Sequence, residues 1–233
     1  MKVALLKAQG LVMAQASLKS SGWSFSPLQH HEANLAFATP EAIALWAEPY
    51  LKGCALALPL GAAAFELRPL EEKTFPCRLG KGPELRVMSQ ALSLSLVAGE
   101  EWTDAFGPTK AACLEPSEIA LARVMAPLAT REVVTVWCGL DAWVLVAWYG
   151  GEPLLVRTLP PSPDLSSQLR LTGEWCEARG VKVKECFVMG PDKERAKIGA
   201  RERLVDWKML HDGDFEALGE QAELLGLALG WGR

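Results

Sequence analysis

The sequence has no C-x-x-C pair, only three histidines, only two tyrosines and no uncharged apolar run near membrane-spanning length. Each absence removes a class. Without the ~18 to 20 apolar residues of a span, no segment reads as a transmembrane helix. The opening run Met1-Lys2-Val3-Ala4-Leu5-Leu6-Lys7 is too short for a signal peptide, because Lys7 breaks it. No basic cluster exceeds Lys193-Glu194-Arg195-Ala196-Lys197, which a carboxylate interrupts, and the net charge is −4. Proteins that grip phosphate backbones carry a basic stripe, so nucleic acid is not an expected partner. The six cysteines (Cys54, Cys77, Cys113, Cys138, Cys176, Cys186) lie far apart, several in apolar stretches, and read as buried thiols in a reducing compartment.

What is present is an ordinary globular composition, half hydrophobic and 22% charged over 233 residues. The clearest pattern runs from residue 131 to 190. Val133–Cys138, Trp143–Tyr149 and Pro153–Thr158 read as three strands, joined by the turns Gly139-Leu140-Asp141 and Gly150-Gly151. The extended or turning Pro160-Pro161-Ser162-Pro163 leads to Asp164, which caps a helix with Leu165, Leu169, Thr172 and Cys176 at helical spacing. Gly180 ends it. Val181 to Met189 then alternates as a fourth strand. The order is β-β-β-α-β.

The N-terminal part repeats that order. Val3–Ala8, Leu11–Leu18 and Trp23–Leu28 are strands, with turns at Gln9-Gly10 and Ser20-Ser21-Gly22. Thr39-Pro40-Glu41 opens a helix with a threonine cap, proline at its first position and an acid in its first turn. Ile43, Trp46, Ala47, Tyr50 and Leu51 form its buried stripe, Gly53 closes it, and Cys54–Leu60 is the closing strand. Between the units, Ala63–Leu70 reads as a strand, and Pro83–Val97 as a helix or a segment ending as a strand. Glu115-Pro116-Ser117-Glu118 opens a helix bearing Ile119, Leu121, Val124, Met125 and Leu128. The tail is an amphipathic helix capped by Asp214, carrying Phe215, Leu218, Ala222, Leu225 and Leu229, with small residues for close packing.

Two β-β-β-α-β units, with a helix before the second and another after it, resemble the actin-like, ribonuclease H-like duplication. The segments Glu118-Ile119-Ala120-Leu121-Ala122-Arg123, Val136-Trp137-Cys138-Gly139, Gly151-Glu152-Pro153-Leu154-Leu155-Val156-Arg157, Phe187-Val188-Met189-Gly190 and Leu225-Gly226-Leu227-Ala228-Leu229 resemble the PilM and GspL proteins of type IV pilus and type II secretion machines. The likeness covers roughly residues 115 to 230 and is looser in the N-terminal half, where Ala57-Leu58-Pro59-Leu60 carries it. The resemblance implies an α/β, two-lobed actin-like fold, with residues 1–128 in the first lobe and 129–233 in the second. The C-terminal helix is expected to pack back on the first lobe. GspL-type proteins continue into a membrane span that this sequence lacks, so a shorter homologue or a piece of one is expected.

Actin-like nucleotide hydrolases place an acid and glycines in the first hairpin of each half, and glycines again at the adenosine. Here Lys7-Ala8-Gln9-Gly10 has a glycine but no acid. Trp137 stands at the second acid position, with Gly139 kept and Asp141 two residues on. Gly190-Pro191 replaces the adenosine glycines, and proline has no N–H to give. Gly139, Asp141 and Gly190 are the residues that a residual nucleotide site would use, and ATP is its ligand. No resident cofactor, no metal and no catalytic residue is expected. His30-His31-Glu32 reads as a surface loop, because neighbouring side chains of an extended segment point opposite ways. Trp137, Trp143 and Trp148 are either core or an exposed aromatic platform for a partner. The family implies a non-catalytic assembly module at the cytoplasmic face of the inner membrane, joining a secretion or pilus ATPase to membrane-protein tails. The alternatives are a small kinase-like ATP enzyme of the same superfamily and a degenerate partner protein of the tRNA-modification type.

Overall fold

The computed structural model describes residues 1–69, 92–161, 164–196, 202–215 and 219–231. Cys77, the 83–91 part of the Pro83–Val97 segment, Ser162, Pro163, Lys197 and Leu218 lie outside the described residues.

The first unit is β1 (Lys2–Lys7), β2 (Gly10–Lys19), β3 (Gly22–Phe25), β4 (Gln29–Glu32), α1 (Pro40–Ala47) and β5 (Cys54–Leu58). β6 (Ala63–Pro69), β7 (Leu92–Ala98), α2 (Glu100–Phe106) and β8 (Cys113–Pro116) follow, and α3 (Ser117–Met125) leads into the second unit. That unit is β9 (Val133–Cys138), β10 (Trp143–Tyr149), β11 (Glu152–Leu159), α4 (Leu165–Glu177), β12 (Glu185–Met189) and β13 (Glu202–Leu204), closed by α5 (Gly219–Trp231).

The two sheets have one topology. The first runs β3-β2-β1-β5-β8 and the second β11-β10-β9-β12-β13. In each, two antiparallel hairpin partners precede two parallel ones. The right-handed crossover needed for a parallel step is supplied by α1 in one unit and α4 in the other. Alternation then decides the layers. Ala4, Leu6 and Leu11 face α1, whereas Val3, Leu5 and Val12 face the α5 residues Leu224 and Leu227. Val134, Val136 and Leu145 face α4, whereas Val133, Trp137 and Val144 face α3 and α5. The order through the molecule is α1, sheet, the α3–α5 pair, sheet, α4. α5 packs on β1, β2 and β5 as well as on α3, and the backbones close in where Gly226 meets Ala120.

Local chemistry explains the element ends. The Thr39 hydroxyl accepts from the Ala42 N–H at 3.4 Å, and Asp164 accepts from the Ser167 N–H at 3.4 Å, each satisfying a first-turn donor. The third strand differs from Trp23–Leu28. It breaks at Pro27, which has no ladder donor, and resumes as β4 one register step later, so His30-His31-Glu32 is strand rather than loop. The segment ending at Val97 closes as strand β7. Glu115 and Pro116 belong to strand β8, and the following helix begins at Ser117. Val181 and Val183 precede β12 rather than lie in it. The Asp214 N–H donates to the Trp23 carbonyl at 3.2 Å, beside a bridge between Trp23 and Gly213, and the residues between Phe215 and Gly219, where the expected cap would act, lie outside the described residues. Trp137, Trp143 and Trp148 are all buried, which decides for core over platform.

Candidate functional site

The two hairpins and the β12 exit face one another across the α3–α5 layer. At the first hairpin, Gly10 has φ +129° and an added Cβ would lie 2.0 Å from the His31 carbonyl oxygen, so only glycine lets β4 cross there. The turn begins with Lys7, whose Nζ sits 3.0 Å from Oε2 of the buried Glu223 on α5. Burial alone would lower the lysine pKa. Glu223, and behind it Glu220 and Asp141, outweigh burial and hold the ammonium above its ordinary 10.5. Lys7 therefore keeps its charge and neutralises Glu223. The first hairpin thus presents a matched cation and no acid.

At the second hairpin, Trp137 packs with Met189, Ala222 and Leu225. Its ring meets Trp207 edge-on at 6.0 Å, and Trp207 meets Phe215 at 5.4 Å. An apolar cluster thus occupies the second acid position. Gly139 closes its turn by donating to the Ala142 carbonyl at 3.2 Å. Gly190, at φ +109°, is pressed on Cys138: a Cβ would lie 2.5 Å from that residue's carbonyl oxygen. The same carbonyl accepts from the Asp192 N–H at 3.0 Å.

The structure therefore brings Gly139 and Gly190 together around Cys138 and sets the exposed Asp141 within electrostatic reach of Lys7. Their backbone groups serve the turn itself. Sequence reasoning missed Glu223 and Glu220, which one helix supplies from the far end of the chain. The only sequence signal was two acids on an otherwise apolar helix.

Beside this arrangement is an open cleft of about 630 Å³ lined by Lys7, Gln9, Gly10, His30, Glu32 and Glu220, among others. Its charges are unfavourable for a phosphate, since Lys7 is already matched and Glu32 and Glu220 remain. Among the described residues no group of three or more His, Cys, Asp or Glu is arranged to hold a metal. The thiols of Cys54, Cys138, Cys176 and Cys186 are no better placed as nucleophiles. Burial, then Asp192, pushes the Cys138 thiol up to about 12, and burial raises Cys54, Cys176 and Cys186.

Buried polar ties join the halves. Arg123 makes a two-pronged bond to the buried Glu115 at 2.6 and 2.9 Å, and Trp231 Nε1 donates to the same carboxylate at 3.0 Å. Glu118 accepts from the Gly61 N–H at 2.8 Å and the Thr158 hydroxyl at 2.7 Å. His211 Nε2 lies 2.8 Å from the Val124 carbonyl, which requires the proton on that nitrogen.

A doubled sheet order with a helix pair between the sheets is the actin-like ATPase fold. No protein-family model matches the chain, and no curated protein matches its sequence. Solved structures match it in fold. A chain of the PilM–PilN type IV pilus biogenesis complex superposes with TM-score 0.62 at 14% identity, over 98% of this chain and 96% of that one. The cytoplasmic domain of EpsL, an inner membrane component of the type II secretion system of Vibrio cholerae, gives 0.54 at 9% identity, over 98% and 94%. A protein of actin-like ATPase fold and unknown function from Bacteroides thetaiotaomicron gives 0.50 at 9%, over 88% and 90%. Among the described residues no helix is long and apolar enough to cross a membrane.

Proposed function

We propose that this protein is a non-catalytic assembly module of a type IV pilus or type II secretion platform. In this reading its two lobes, 1–128 and 129–233, form a rigid adaptor at the cytoplasmic face of the inner membrane, holding a secretion or pilus ATPase and membrane-protein tails. The observation that carries the reading is the replacement of both hairpin acids. Lys7 is neutralised by Glu223, and Trp137 is buried in an aromatic cluster. Neither can order a hydrated metal on a phosphate chain. The fold likeness to a PilM–PilN chain and to the EpsL cytoplasmic domain supports the setting.

Co-expression with a pilus or secretion ATPase, and separately with the cytoplasmic tails of inner-membrane assembly proteins, tests the partners. The reading expects a complex that survives size-exclusion chromatography and is indifferent to ATP. Phosphate release by the isolated chain, with no complex in either co-expression, would support a kinase-like enzyme instead.

A further inference from the structure

The edge of the first sheet is sealed at one end and open at the other. At β3, the Trp23 N–H donates to the Asp212 carbonyl at 2.9 Å and the Trp23 carbonyl accepts from Asp214 at 3.2 Å. The chain thus covers this edge with a single bridge from its 212–214 segment. At β4, the ladder pairs Leu11 with His31 and Met13 with Gln29, and the Ala33 N–H donates to the Gln9 carbonyl. Antiparallel alternation then turns the N–H and C=O groups of His30 and Glu32 away from β2. Among the described residues no strand pairs with that outer side.

Natural sheets blunt such edges with lysine, proline or a cover. Gln29-His30-His31-Glu32 has neither lysine nor proline. The same parity that sends these backbones outward places the His30 and Glu32 side chains on the cleft side, where both line the 630 Å³ cleft with Glu220. Glu32 and Glu220 have no ion-pair partner among the described residues, while Lys7 is held by Glu223. Phe37, on the loop leaving β4, is 97% exposed.

We propose that the free edge of β4 receives an extended, basic segment of a partner protein as an additional strand. Its backbone pairs with His30 and Glu32, and alternate Lys or Arg side chains lie over the Glu32–Glu220 side of the cleft. Phe37 gives the segment an apolar contact at the rim. This rests on the assembly-module reading and names where, and by what chemistry, that module takes a partner.

The test is selection of a library of random dodecapeptides displayed on phage against the intact chain, followed by affinity measurement of the selected peptides. The expected peptides carry Lys or Arg at alternate positions. Their binding weakens at least about tenfold when Glu32→Lys and Glu220→Lys are combined, and when alternate peptide amides are N-methylated, a change that leaves the protein untouched. Glu32 is exposed and Glu220 half-buried, and an unchanged melting temperature confirms that the variant folds. Peptides without the basic alternation, peptides insensitive to both changes, or no selected peptide at all would overturn the proposal. None of those results touches the assembly-module reading, which fails instead if the chain binds and turns over ATP.

Discussion

Lys7, Arg123 and His211 show how single side chains tie the two halves through groups far apart in sequence. Arg123 is the partner of the buried Glu115: burial holds that carboxyl above its usual range, and the guanidinium offsets part of the rise. Arg123→Ala leaves this buried carboxyl without its two-pronged partner and should cost about 3–5 kcal/mol in urea unfolding. His211 works through protonation. Burial holds its pKa below the ordinary 6.5, against the Val124 carbonyl and Asp212. The unfolded chain then binds the extra proton more readily than the folded one. Stability is full above pH 6.5 and falls as the pH drops toward the folded value. Denaturation midpoints measured at about pH 7.5 and about pH 5.5 should show this fall, and His211→Gln should flatten it. None of these partners was legible beforehand, because contacts such as Lys7–Glu223 and Arg123–Gly226 leave no local pattern.

Elements were easier to read where alternation and caps agree. β9, β10 and α4 follow from β-branched runs, Gly150-Gly151 and the Asp164 cap, and α1 follows from Thr39-Pro40. Reading failed where an element is short, polar or interrupted. Pro27 divides the third strand, Gln29-His30-His31-Glu32 has no apolar alternation, and β13 is a three-residue edge strand. The start of the tail helix lies outside the described residues, while the backbone of Asp214 joins the sheet edge at Trp23. At the Gly190 turn the backbone is pressed on Cys138. Gly190→Ala forces a Cβ to 2.5 Å from the Cys138 carbonyl oxygen at φ +109°, and should destabilise by about 2–4 kcal/mol, read as a lowered thermal midpoint.

At the scale of the molecule, the doubled β-β-β-α-β order was visible in the sequence although the residues of the two halves barely match. Hydrophobic periodicity and turn residues specify topology without requiring identity. The candidate site was legible only in part: the lack of an acid in Lys7-Ala8-Gln9-Gly10 and the tryptophan at position 137 could be seen, but not the side chains that pack against them. A helix from the far end of the chain supplies Glu223 and Glu220, and a connector supplies Trp207 and Phe215. We propose that this actin-like cleft, with Lys7 held by Glu223 and Trp137 buried among apolar side chains, does not serve a nucleotide. Calorimetric titration of the intact chain with Mg²⁺–ATP, paired with a phosphate-release assay, tests it most directly. No heat of binding tighter than about 10 μM and no turnover are expected, whereas tighter binding with steady phosphate release would make the protein a nucleotide enzyme.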